Sequence, residues 1–255
     1  MSWRSLSKTG LTCSQVQREP GELSVSASAT PIPVTPSRWC SSPGKRLMDI
    51  SVATAMLLLL SPILLIVAVA VRVASGKPVI FRQTRAGRGG QEFQLLKFRT
   101  MTMQSADNGA GITRDGDPRI TRIGKWLRQS KLDELPQLAN VLRGEMSLVG
   151  PRPDLNEFWQ ATSADARKAL ALTPGLTGAA SIVFRHEERL LGDVPPEQIT
   201  AFYVERLLPA KARIDLNYAA GASFWADCMI LFRTCAAALR FSCEPALLTD
   251  MPHSL

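Results

Sequence analysis

The chain has 255 residues, enough for one full domain with appendages, and its formal net charge of +8 calls for an anionic partner. Its two histidines, His186 and His253, lie far apart, which excludes His-based triads and His-rich metal sites. The five cysteines have neither CxxC spacing nor an even-numbered framework; this fits a reducing cytosol, with Cys228 and Cys235 read as small buried apolar residues.

Residues 1–43, with stretches such as "SVSASATPIPVTPS", have no apolar periodicity and lack the continuous apolar core of a targeting peptide. They are expected to form a disordered cytosolic arm. Residues 44–77 carry an uncharged run from Ile50 to Val71, long enough for a membrane helix of about 20 residues. Ser61 and Pro62 fall near its midpoint. Proline removes a backbone hydrogen bond there and predicts a sharp bend, with Ser61 able to satisfy a freed carbonyl. Lys45 and Arg46 precede the run, and Arg72, Lys77, Arg82, Arg85 and Arg88 follow it, so neither flank is depleted in cations. A re-entrant helix with both flanks in the cytoplasm is therefore preferred to a simple spanning anchor.

Residues 78–243 are expected to form a cytosolic domain, followed by a tail at 244–255. "KPVIFRQTRAGRGGQEFQLLKFRTM" alternates apolar and polar residues around a Gly-rich turn and predicts a β-hairpin. From Arg72 to Arg99 there are seven basic residues against the single acid Glu92. This is either a solvated basic face or one that meets anionic lipid headgroups. Nucleic acid is not expected, because no binding motif is present. "SADNGAGITRDGDPRITR" is loop chemistry and "IGKWLRQS" a short amphipathic helix. Pro136 fixes the start of the next helix, which should place Leu135, Leu138 and Leu142 on one face and end near Gly144. Asp133 and Glu134 then lie at or just inside its N-terminus, where the helix dipole favours their ionised forms.

Alone, that pair is a helix cap. Arg128 one turn earlier, and Arg152 locked between Pro151 and Pro153, give it company suited to phosphate oxygens. Two acids that can hold Mg²⁺, with two arginines, resemble a diphosphate site. Further on, "FWADCMILFRTCAAALRF" is apolar yet carries Asp227 and Arg233. It reads equally as a core helix or an interfacial one, whereas a second membrane span would bury both charges in hydrocarbon. Together these elements predict an α+β, mainly helical fold. An N-terminal re-entrant membrane helix, a small β-hairpin and interfacial amphipathic helices surround a cytosolic catalytic core.

The blocks "KRLMDI", "VIFRQTRAGRGGQEFQLLKFRTM", "LRQSKLDELPQLANVLRGEMSLVGPRP" and "TPGLTG" closely resemble the bacterial sugar transferases, the monotopic polyprenyl-phosphate phosphoglycosyl transferases, from about Gly44 to about Phe241. The spacing of "LDELPQL" and "SLVGPRP" is the most specific part. The resemblance implies transfer of a sugar 1-phosphate from a UDP-sugar to a polyprenyl phosphate such as undecaprenyl phosphate, through a covalent intermediate and with Mg²⁺. Such a reaction initiates exopolysaccharide, O-antigen, capsule or glycoconjugate synthesis.

By position, Asp133 is the nucleophile and Glu134 its partner. Asp133, Glu134 and Asp227 are the expected metal ligands, and Arg128, Arg152, Lys97 and Arg99 the phosphate contacts. Ser61 and Pro62 match the family's helix break in a protein held at the cytoplasmic face of the inner membrane among its phospholipids, an arrangement that admits a homodimer. The alternative, a membrane-anchored non-catalytic partner of a polysaccharide assembly complex, is opposed by the presence of Asp133, Glu134 and Arg152. The sequence departs from the common pattern twice. "AASIVFRHEERLL" stands where a "QVNGR"-like stretch is usual, so His186, Glu187 and Glu188 either touch the sugar or form a solvated charged run. Lys131 replaces a small polar residue and adds positive charge beside the acids.

Overall fold

The structure, a computed structural model, describes residues 35–102, 117–192 and 194–239. The arm to residue 34, most of the Gly/Asp-rich loop and the C-terminal tail lie outside the described residues.

Helix α1 (Pro43–Ser75) begins where the Ser42 side chain accepts the Lys45 N–H, with proline in its first turn. Its 33 residues span about 50 Å. The chain stays helical through Pro62. The Ser61 hydroxyl donates to the Leu58 carbonyl at 2.8 Å, the acceptor that Pro62, lacking an N–H, leaves unserved. Among the described residues this is the one helix long and apolar enough to cross a membrane, and only 11% of its most apolar stretch is buried. Its first turns are nonetheless tied into the rest of the molecule. Lys45 pairs with Asp227 at 2.6 Å, Arg46 donates to the Val141 and Leu142 carbonyls, and Asp49 accepts the Leu148 N–H.

Strands β1 (Ile80–Ala86) and β2 (Glu92–Phe98) form the expected antiparallel hairpin, with Arg85 opposite Phe93. Phe93 and Leu95 pack with Ala53, Leu138, Val141 and Leu148, whereas Phe98 packs with Val67, Val71 and Leu127. The hairpin thus wedges α1 against the elements that follow.

Helix α2 (Arg122–Ser130) buries Leu127 and stops at Lys131, which takes a left-handed conformation with φ 58°. A separate 3₁₀ turn, Leu132–Glu134, comes next, and α3 (Gln137–Arg143) starts only after Pro136. Asp133 and Glu134 are therefore one turn ahead of α3 rather than inside it. Gly144 ends the helix in the left-handed region, as expected. The apolar face differs from the expected stripe. Leu138 and Val141 are fully buried, but Leu142 is 36% exposed, because α3 turns its 138/141 side towards the hairpin and α1.

A second strand pair was not legible in the sequence: β3 (Ser147–Val149) lies parallel to β4 (Gly175–Thr177). The pairing joins "SLVGPRP" to "TPGLTG". The backbones approach so closely that a Cβ on Gly175 would fall 2.1 Å from the Gly150 nitrogen, so only glycine fits.

The remaining elements are α4 (Asn156–Ala161), α5 (Ala164–Arg167), α6 (Ala179–Val183), α7 (Glu187–Gly192), α8 (Ile199–Phe202), α9 (Leu208–Ala220) and α10 (Phe224–Leu239). Phe158, Trp159, Tyr203, Leu208 and Leu216 build their core. A π turn, Tyr203–Leu207, joins α8 to α9. Pro209 at the start of α9 cannot donate to the preceding turn, and the Thr162 hydroxyl serves the Val204 carbonyl at 2.8 Å. Helix α10 turns one face inward, as the core reading expects, and leaves an apolar face exposed. Asp227 is fully buried, whereas Trp225, Met229 and Phe232, at helical spacing, are exposed, the first at 78% and the last at 71%. Cys228 is only half-buried and Cys235 exposed, because they fall off the inward face; the expectation that both are buried is corrected.

Candidate active site

An open cleft lies between the hairpin, the 3₁₀ turn before α3 and the Pro151–Pro153 segment. Asp133, Glu134, Arg128, Arg152 and Lys97 all line it. The left-handed turn at Lys131 swings the chain off α2 and presents the two acids, whose neighbours then treat them differently.

Asp133 is buried, and its Oδ1 has no hydrogen-bond partner. Burial pushes its carboxyl up to about 6, and the adjacent Glu134 charge adds to the shift against the pull of Lys131, Arg128 and Lys97. The helix dipole is expected to favour the ionised form of both acids; for this residue desolvation outweighs any such pull and moves the carboxyl upward, though it stays largely ionised at pH 7. Glu134 goes the other way. Burial alone would raise it, but the Arg152 guanidinium grips both its oxygens, Nη2 to Oε1 at 2.5 Å and Nη1 to Oε2 at 3.3 Å, and brings it down to about 2. Arg152 is held in place by this fork, with 41% of its side chain still accessible, so its remaining N–H groups can meet a ligand. Lys97 lies over the Phe81 ring, 5.3 Å from its centroid; burial, then Arg85 and Arg128, lower it to about 8.

Three lining residues escaped the sequence reading of the site, Arg85, Leu95 and Gln137, whereas Lys131 lies beside the acids as expected. The two-residue alternation of the hairpin carries the missing signal for the first, since Arg85 opposite Phe93 shares a face with Leu95 and Lys97. The cleft therefore gathers five cations, Arg85, Lys97, Arg128, Lys131 and Arg152, against the two carboxylates Asp133 and Glu134. An anionic ligand is what this imbalance favours.

Two expected site residues are not brought here. Arg99 is buried elsewhere, its guanidinium donating to the carbonyls of Ser75 and Lys77 at the end of α1. Asp227 lines a separate, small cavity with Lys45, Asp215 and Tyr218, and takes bonds from Lys45, Tyr218 and Trp39. In that cavity burial pushes Asp215 up to about 7 although it accepts the Ala180 N–H. Ser61 and Pro62 lie in the middle of α1, outside the residues that line either cavity. Glu187 is bound to Lys211 at 2.9 Å rather than being a solvated charge, and the Glu188 side chain is outside the described residues.

Among the described residues no group of three or more His, Cys, Asp or Glu side chains converges, so a metal held by Asp133, Glu134 and Asp227 together is not formed. The unpartnered oxygen of Asp133 nevertheless fits a hard cation that takes most of its ligands from substrate phosphates, as Mg²⁺ commonly does.

Comparison with known proteins identifies the family. The sequence model of the family described as bacterial sugar transferase matches residues 40–241. The UDP-glucose:undecaprenyl-phosphate glucose-1-phosphate transferase of Caulobacter vibrioides is 37% identical over 193 residues, covering 74% of this chain and 67% of that protein. The UDP-N-acetylgalactosamine-undecaprenyl-phosphate N-acetylgalactosaminephosphotransferase of Aeromonas hydrophila is 36% identical over 193 residues, 74% of this chain and 42% of its own length. The exopolysaccharide production protein ExoY of Rhizobium meliloti is 35% identical over 209 residues, 76% of this chain and 84% of that protein. The chain thus spans about two-fifths of the length of some relatives and most of others. It belongs to the bacterial sugar transferase family.

Proposed function

We propose that this protein is a phosphoglycosyl transferase that moves a sugar 1-phosphate from a UDP-sugar to undecaprenyl phosphate, as the names of its relatives describe for them, in exopolysaccharide synthesis. The observation that carries the reading is the unpartnered carboxylate oxygen of Asp133, buried among cations in an open cleft.

In the first step an Asp133 oxygen attacks the β-phosphorus of the donor, the P–O bond to the α-phosphate breaks, and UMP leaves with the bridging oxygen. In the second, an oxygen of the lipid phosphate attacks the same phosphorus, the bond to Asp133 breaks, and the carboxylate is regenerated. Arg128, Arg152 and Lys97 neutralise the phosphates in both steps. Glu134, held near pKa 2, is a poor proton acceptor; it fixes Arg152 and adds negative charge for a cation. Mg²⁺ held by Asp133 and Glu134 would supply further charge neutralisation on the diphosphate. One cleft serves a soluble donor and a lipid acceptor in turn because both present a phosphate. With α1 re-entrant and both basic flanks on the cytoplasmic side of the inner membrane, the cleft stays near headgroup level, where the lipid phosphate lies.

The test is mass spectrometry of purified protein incubated with UDP-glucose and Mg²⁺ but no lipid. A phosphosugar adduct on the Asp133 peptide, with one UMP released per adduct, is the expected result. Asp133→Asn, which keeps the shape and removes the anionic nucleophile, should form none and lose several orders of magnitude in turnover. An adduct on that variant would place the nucleophile elsewhere.

A further inference from the structure

A buried polar chain that the reaction scheme leaves unused runs from the cleft wall to α7. The Tyr203 hydroxyl donates to Asp154 Oδ1 at 2.9 Å and accepts from Lys211 Nζ at 3.0 Å; Lys211 also donates to Glu187 Oε2 at 2.9 Å. Asp154 faces Arg85, with Nη1 3.6 Å from Oδ1, and its carbonyl accepts the N–H of Ala86 at 2.9 Å. Asp154, Tyr203 and Lys211 are all buried. Two cations, Arg85 and Lys211, balance two carboxylates, Asp154 and Glu187, so loss of any member strands a desolvated partner.

The π turn makes this alignment. In a regular helix, residues eight apart such as Tyr203 and Lys211 sit about 80° apart around the axis; one extra residue in a π turn reduces that to about 20°. Arg85 is the end of the chain that reaches the cleft. Its Nη2 donates to Gln83 at 2.8 Å, Asp154 sits beside Nη1, and Nε is buried without a partner. A guanidinium held on two sides with a donor unspent, in a wall rich in cations, is set for an oxyanion. Glu187 at the other end belongs to the stretch where this sequence departs from the common family pattern.

We propose that Asp154, Tyr203, Lys211 and Glu187 are positioning residues that hold Arg85 as a further contact for a substrate phosphate oxygen. The proposal rests on the phosphoryl-transfer reading of the cleft. The phosphate belongs to the donor diphosphate or to the lipid acceptor, and the two half-reactions separate them.

The experiment measures the single-turnover rate constant and the half-saturating donor concentration (read as kcat and KM of that half-reaction) for UMP release without lipid, and kcat and KM for transfer to undecaprenyl phosphate, in wild type, Arg85→Lys, Tyr203→Phe and the double variant. Tyr203→Phe keeps the ring packed on Phe158 and removes only the bridging hydroxyl. Each single change should raise one KM about tenfold while kcat moves less than about threefold. The double variant should be no worse than Arg85→Lys alone, because Tyr203 acts through Arg85. A KM rise already present without lipid assigns the donor diphosphate; a rise confined to the lipid assigns the acceptor. Should Tyr203→Phe fail to fold, Glu187→Gln at the half-buried end is read the same way, with a KM rise of about threefold. Additive losses in the double variant, or unchanged KM for both substrates, overturn the proposal alone. Wild-type protein that releases no UMP overturns it together with the functional reading.

Discussion

Asp133 and Glu134 are adjacent in sequence but opposite in chemistry, and the difference lies in one neighbour. Arg152 grips Glu134 and leaves Asp133 with a bare buried oxygen. Two outcomes follow from a carboxyl raised to about 6 beside one lowered to about 2. The rate of UMP release without lipid should fall about tenfold per pH unit below 6, and that acid limb belongs to Asp133, since Glu134 stays ionised throughout. A stopped-flow series from pH 5 to 8 reads it; a flat profile would remove Asp133 as the ionising nucleophile. Stability has its own sign. A group whose pKa is higher folded than unfolded contributes stability that is full below the unfolded value, 3.8 here, and lost as pH rises through the folded one. Asp133→Asn should therefore unfold later than wild type at pH 7, by about 1–3 kcal/mol, while being inactive. A destabilised variant in urea unfolding would contradict the burial argument.

Among the elements, those with a strong local signal were readable in the sequence. The hairpin follows from two-residue alternation, α2 from its amphipathic pattern, the end of α3 from Gly144, and α1 from its apolar run. The parallel pair β3–β4 was not, because strands of three residues bounded by Gly and Pro carry too little periodicity, and a glycine contact across some 25 residues leaves no local trace. Of the site, the motif-borne acids and Arg128, Arg152 and Lys97 were legible. Arg85 and the Asp154–Tyr203–Lys211 chain were not, since their meeting depends on tertiary placement and a π turn. Arg99 was misplaced because a basic residue in a basic stretch gives no hint that it will cap a helix. Ser61 and Pro62 act as an element-level device, where the serine serves the carbonyl that proline abandons. With the natural pair, tags at Ser2 and Leu255 should both be protected from external protease in intact cells. Replacing both residues with Leu should favour a spanning helix and move the Ser2 tag outside. An external Ser2 tag in the wild type would rule out the re-entrant path.

On the scale of the whole molecule, exposed apolar surface is concentrated on α1 and on the Trp225–Met229–Phe232 stripe of α10, and the cleft is rich in positive charge. A body of this kind should rest on a bilayer through both helices. In vesicles containing brominated lipid, quenching of tryptophan emission should drop when Trp225 is changed to Phe; no drop would mean that α10 faces water. The clamp at the start of α1 has a practical consequence for handling the protein. Lys45, Arg46 and Asp49 fasten this helix to α10, α3 and β3, and Ala53, Val67 and Val71 on it belong to the interior packing. Truncation at residue 76 would therefore delete part of the catalytic body along with the lipid anchor. A detergent-free version has to come from recolouring the outward side chains, Leu58, Leu59, Leu65 and Ile66 among them, with polar residues while the inward row is left untouched.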